Sequence, residues 1–215
     1  MTLTQRYRSI YKPLIWIAAL APLLWMVAGI VGVLGFSMGA DPVKAVIHHT
    51  GKTAINLLGI TLAVTPLARL GRWPQLIRLR RLLGLWAFAY ALLHFTLYLG
   101  LDLRFDFAHL GADIVKRPYI TIGFAAILLL LPLAATSTQR MMRRLGRRWQ
   151  SLHRAIYAIG ILAVWHFYWQ VKADIREPLW YAAGLTLLLG VRLWWRATAR
   201  RATSRSESAI APGKT

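Results

Sequence analysis

Six apolar stretches recur along the chain: Leu14 to Phe36, Thr53 to Leu70, Leu82 to Leu101, Tyr119 to Ala135, Ala155 to Val171 and Leu179 to Trp195. Each comes close to the roughly 20 residues that a helix needs to cross a hydrocarbon core of about 30 Å. Backbone polar groups in lipid must be satisfied within the segment, which restricts such stretches to helices. The expected fold is an all-α integral membrane protein, a six-helix transmembrane bundle. Its parts would be a cytoplasmic N-terminus over residues 1–13, the bundle over 14–196 and a basic disordered cytoplasmic tail over 197–215. Pro118 and Pro178 stand where a helix can begin without losing a needed N–H, and the segments Gly39-Ala40-Asp41-Pro42 and Leu70-Gly71-Arg72-Trp73-Pro74 carry turn chemistry. The first stretch is too long for a secretory leader and is not followed by an A-x-A site, so it is expected to be retained.

A net charge of +20 would suggest nucleic acid in a soluble protein, so the placement of the charges decides their meaning. With successive connections assigned to alternating sides, the side holding both termini carries 20 basic residues and the single acid Glu207. The other side carries seven basic residues against six acids. This is the positive-inside pattern, which predicts cytoplasmic termini and removes the need for a nucleic-acid partner. Trp16, Trp73, Trp149, Trp180, Trp194 and Trp195 fall near stretch ends, as expected of an interfacial belt. Gly29, Gly32, Gly35 and Gly39 do not form a dinucleotide-binding fingerprint and are assigned to close helix packing.

The chain has no cysteine, which excludes thiolate-bound metals, iron-sulfur clusters and covalent CxxCH haem attachment. Six histidines remain, and only His94 and His166 fall well inside apolar stretches, where an imidazole is costly enough to be a functional candidate by default. Counted from Arg81 and Arg154, both rings lie about 18–20 Å from the inner edge. Two neutral imidazoles at one height on parallel helices can close on one metal, and no carboxylate at that depth compensates a bare divalent ion. A haem supplies four more nitrogens and the charge, so bis-His haem b suited to electron transfer is expected.

On a continuous helix His153 sits about 20 Å below His166 and about 140° from its face, so the two cannot share an iron. His153 could serve an inner haem, though a second imidazole at its height is missing. Arg80 and Arg81 lie at that height and suit a haem propionate or a flavin phosphate. His48 lies near enough in depth to support the outer site, and His109 is expected to be solvated.

The segments GADPVKAVIHHTGKTA (39–54), RLRRLLGLWAFAYALLH (78–94), RPYITIG (117–123) and TSTQRMMRRLGRRWQSLHRAIY (136–157), with a further histidine nine residues on, resemble the MsrQ family of haem-binding membrane subunits. More distantly they are similar to the transmembrane domains of ferric reductases and NADPH oxidases. The resemblance implies a bacterial inner-membrane haem b protein, one haem expected and a second left open, in a family also said to bind FMN. It implies electron transfer from the quinone pool or a cytoplasmic flavin reductase to MsrP, a periplasmic molybdenum enzyme. That partner reduces methionine sulfoxide in oxidised periplasmic proteins. The family's haem histidines fall on His94, His153 and His166, and His48 fits the pattern, whereas His49 departs from it. Unlike the oxidases, the sequence has one histidine in its third stretch and no flavin or nicotinamide domain, so electrons are expected from a separate donor. Two other readings are a small proton-coupled permease using His94 and His166 as a relay, and a structural anchor. No convincing internal repeat supports the permease.

Overall fold

The computed structural model describes residues 3–35, 37–171 and 174–210. Among these every regular element is helical. A short α1 (Leu3–Arg6) and a π-helical turn lead into α2 (Lys12–Val31). The long α3 (Pro42–Leu70) is followed by α4 (Leu79–Leu97), which runs on as a π-helical turn to Asp102. Then come α5 (Phe107–Lys116), α6 (Pro118–Ala135), α7 (Gln139–Leu145), α8 (Arg147–His153), α9 (Ile156–Gln170) and α10 (Arg176–Ile210). Four helical runs are long and apolar enough to cross a membrane: Ser9–Val31, Pro42–Leu70, Pro74–Asp102 and Pro118–Ala135. The other two expected stretches are helical as well. However, α9 has only 15 residues, about 22 Å of rise, and α10 carries arginines within its 35 residues.

Several boundaries differ from expectation for local reasons. The Asp41 carboxylate accepts the Lys44 N–H at 3.1 Å and Pro42 occupies the first turn, so α3 starts well before Thr53. Gly32, Gly35 and Gly39 all have positive φ (75°, 74° and 85°) and turn the chain after α2. Of the four glycines assigned to packing, only Gly29 is buried in a helix. The histidine-bearing stretch is not continuous either. Between His153 and Ile156 the bonds are of the i→i−3 kind, so Arg154 and Ala155 form a turn that ends α8 before α9 begins. The rotation expected between His153 and His166 on one straight helix therefore does not apply. At the C-terminus the helical backbone of α10 continues to Ile210 across residues assigned to a disordered tail, and 211–215 lie outside the described residues.

The core is centred on Leu57, Leu58, Val64, Leu83, Ala87, Tyr90, Leu130, Leu133 and Ile159, contributed by α3, α4, α6 and α9. Polar cross-links pin neighbouring helices to it. Tyr90 Oη donates to the Ala19 carbonyl of α2, and His49 Nε2 donates to the Pro22 carbonyl at 2.9 Å while its ring stacks on Trp25. Pro66 lacks the N–H that would bond the Leu62 carbonyl, and the guanidinium of Arg192, only 8% exposed, donates to that carbonyl from α10. Arg192 also donates to Leu188 at 2.7 Å and lies over the Tyr157 ring.

Candidate cofactor site

Above the core, α3, α4, α6 and α9 enclose a cavity of about 610 Å³, within the roughly 300–1,000 Å³ usual for cofactor pockets. Its floor is apolar, formed by Leu58, Ala87, Leu130 and Ile159 of the core. Its rim is polar, with Lys44, His48, Lys52, Asp102, Arg117 and Gln170. His94 and His166 line opposite sides from α4 and α9, with ring centroids 6.2 Å apart and ring planes at 74°.

The two histidines are held in the same way. His94 Nδ1 donates to the Ile47 carbonyl at 2.8 Å, and His166 Nδ1 donates to the Tyr119 carbonyl at 2.7 Å, each across 47 residues of sequence. In each case a glycine stands one turn after the accepting carbonyl. A Cβ at Gly51 would lie 3.0 Å from the His94 ring, and one at Gly123 would lie 2.7 Å from the His166 ring. The missing side chains are what let each imidazole reach a neighbouring helix backbone. A proton fixed on Nδ1 leaves Nε2 with its lone pair, the state in which imidazole binds a metal. Neither Nε2 has a hydrogen-bond partner among the described residues.

An imidazole nitrogen ligates a first-row metal at about 2 Å with the ring centre about 1 Å behind it, so two rings sharing one metal stand roughly 6 Å apart. The observed separation fits. Among the described residues no cluster of three or more His, Cys, Asp or Glu could hold a bare ion. A pair of imidazoles over an apolar floor suits a prosthetic group that brings its own equatorial donors, as a haem does.

The other expected residues are distributed around this centre. His48 sits on the rim, its Nε2 accepting a hydrogen bond from Gln170 at 2.8 Å. His153 does not line the cavity. Its Nδ1 donates to the Trp149 carbonyl at 3.1 Å, its ring stacks on Trp149 at 3.9 Å, and its Nε2 is buried without a partner. Arg80 Nε is likewise buried and unpaired, whereas Arg81 is exposed, and neither lines the cavity. Trp149, expected in the interfacial belt, stacks on His153 and donates from Nε1 to the Thr136 carbonyl at 3.0 Å. His109 is exposed and bonds the Asp106 carboxylate at 2.8 Å. Gly51, Gly123, Ile47 and Tyr119 were not singled out in the sequence. The only signal for them was the equal 47-residue separation from carbonyl to histidine.

A helical membrane protein with two histidines facing each other in a chamber of apolar floor and polar rim falls in the class of transmembrane redox proteins. The family model for the ferric reductase like transmembrane component matches residues 50–164. A Xanthomonas campestris pv. campestris (strain 8004) relative is 59% identical over 169 residues, covering 79% of this chain and 78% of its own length. A Xanthomonas axonopodis pv. citri relative is 52% identical over 197 residues, 90% of each chain, and a Bordetella pertussis relative is 45% identical over 208, covering 94% and 98%. All three are named as the haem-binding subunit MsrQ of a protein-methionine-sulfoxide reductase. No solved structure matches. The chain belongs to the MsrQ family, within the ferric reductase-like transmembrane proteins.

Proposed function

We propose that the protein is a transmembrane electron-transfer subunit. It takes electrons from the quinone pool or a cytoplasmic flavin reductase. It passes them to a periplasmic MsrP-like molybdenum reductase that repairs methionine sulfoxide in oxidised proteins. The observation that carries this reading is the pair of carbonyl-fixed imidazoles, 6.2 Å apart, facing one cavity. Haem b bound between them supplies a one-electron couple. His94 and His166 would hold the iron, Gly51 and Gly123 leave room for the two rings, and the Leu58, Ala87, Leu130 and Ile159 floor would keep water away. His48 and Gln170 support the rim.

Six helices cross the inner membrane with both termini in the cytoplasm, which is the reading that the asymmetry of the arginines supports. This puts the cavity rim in the outer half, facing a periplasmic partner, and His153 with Arg80 near the cytoplasmic face. The unpaired Nε2 of His153 and Nε of Arg80 suit a second haem or an FMN phosphate there, Arg80 or Arg81 supplying the cation. Methionine sulfoxide chemistry belongs to the partner. A dithionite-reduced minus oxidised spectrum of the purified protein tests the reading. A b-type signal is expected. A featureless spectrum after haem-replete expression would instead favour a permease or an anchor.

A further inference from the structure

A second depression, about 240 Å³, lies on the outside of the bundle between α3, α9 and α10. It is lined by aliphatic side chains together with Trp180 and Tyr181, and it shares Ile55 and Leu58 with the wall of the histidine cavity. Those two side chains are therefore part of the wall between the groove and the cavity. Neither Gly59 nor Gly184, both in the lining, would meet anything within 4 Å if given a Cβ, so the groove is open space at these two positions, whereas a Cβ at Gly160 would meet Leu185 at 3.2 Å and Leu62 at 3.3 Å.

Beside this groove, bonded to Tyr181 of its lining, the bundle surface carries an amide. Asn56 stands midway along α3, inside one of the apolar membrane-length runs, and is exposed on the outside of the bundle. Tyr181 Oη donates to its Oδ1 at 2.8 Å, which fixes the amide orientation. The Asn56 NH₂ has no partner among the described residues. Amide donors facing hydrocarbon without an acceptor are costly, so a ligand here must bring a hydrogen-bond acceptor and an apolar body. One turn before Tyr181 on α10, Glu177 reaches Lys52 at 2.7 Å, and both side chains are near half exposed. A carboxylate able to take protons to the aqueous edge therefore stands beside the same groove.

We propose that this groove is where a membrane-soluble quinol docks and delivers its electrons. The Asn56 amide donates to a ring oxygen, the Trp180 and Leu185 side of the groove receives the ring, and Ile55 and Leu58 separate it from the metal centre between His94 and His166. With a haem held there, each quinol would become quinone by giving up two electrons in two successive one-electron steps, the downstream partner taking each electron on before the next arrives. Its two phenolic protons leave past Glu177 to the outer aqueous side. The proposal rests on the haem reading above and chooses the quinol among its donors. It places electron entry at the level of the outer pair, so that the route does not require His153.

The test uses haem-loaded protein in phospholipid nanodiscs, with decylubiquinol as reductant and a photoreactive azidoquinone as probe. Gly184→Leu fills the groove into open space, and Asn56→Leu removes the amide donor. Both variants are expected to keep the haem content and dithionite-reduced spectrum of the wild type. Haem reduction by decylubiquinol should slow at least tenfold in each, and the azidoquinone should label residues 180–188 of wild type but not of Gly184→Leu. Unchanged reduction rates, labelling elsewhere, or a groove that retains only phospholipid would overturn the proposal. A wild type that dithionite reduces and quinol does not would overturn it while leaving the haem reading intact. Absence of any haem signal would instead remove the reading on which it rests.

Discussion

At the scale of single residues, the site depends on what is missing from two positions as much as on the histidines. Gly123 faces the His166 ring so closely that a methyl group would have to displace it, by contrast with Gly111 of α5, where a Cβ meets nothing within 4 Å. Gly123→Ala should therefore move His166 off its Tyr119 carbonyl and lower haem occupancy several-fold, read as haem per protein, with Gly111→Ala unchanged. Equal occupancy in both variants would mean that the glycine does not set the ring position. The histidines could be found from the sequence because an imidazole in an apolar stretch stands out by its desolvation cost. The glycines could not, because membrane helices use glycine freely for packing and nothing local separates a ring cradle from a helix contact. His49 shows the reverse difficulty: beside His48 in sequence, it faces α2 and bonds Pro22, a direction that only the helix phase determines.

At the scale of elements, proline and its repair govern stability. Arg192→Leu leaves the Leu62 carbonyl without a donor in apolar surroundings and should cost about 1.5–3 kcal/mol in a detergent unfolding measurement. Pro66→Ala restores an N–H at the required position, so the double variant should recover most of that loss. Strict additivity of the two changes would contradict the pairing. The sequence grouped Arg192 with the positive-inside charges, a grouping that is silent on a guanidinium that turns inward to α3. The amphipathic α5 was also not foreseen, since its ten residues are too short to stand out between two long apolar runs. It is capped by Asp106, whose carboxylate accepts the Ala108 and His109 N–H groups, each at 3.0 Å. The His109 backbone N–H, followed by its ring, holds that carboxyl below the usual carboxylate range. A folded value below the unfolded one means that the cap contributes fully above the ordinary carboxylate pKa and is lost as pH falls through the lowered value. Protection of the Ala108 and His109 amides, measured against their intrinsic exchange rates, should fall in that acid window, and in Asp106→Ala it should already be lost at neutral pH.

At the scale of the whole molecule, apolar length and charge asymmetry were enough to identify a helical membrane protein and to bring the third and fifth stretches together. Depth counting from Arg81 and Arg154 worked for His94 and His166 because α4 and α9 are each regular around them. The rotation expected between His153 and His166 does not carry over, because the Arg154–Ala155 turn resets the phase. The chamber between α3, α4, α6 and α9 is what turns two separated histidines into one site, and the remainder of the bundle keeps that chamber apolar below and polar at its rim. The most direct measurement of this arrangement is pyridine haemochrome counting on wild type, His94→Ala, His166→Ala and His153→Ala, each purified from haem-replete cells. Loss of the same haem from both His94→Ala and His166→Ala, with that haem kept in His153→Ala, is the predicted result. Wild-type haem content in either of the first two variants would contradict a shared iron.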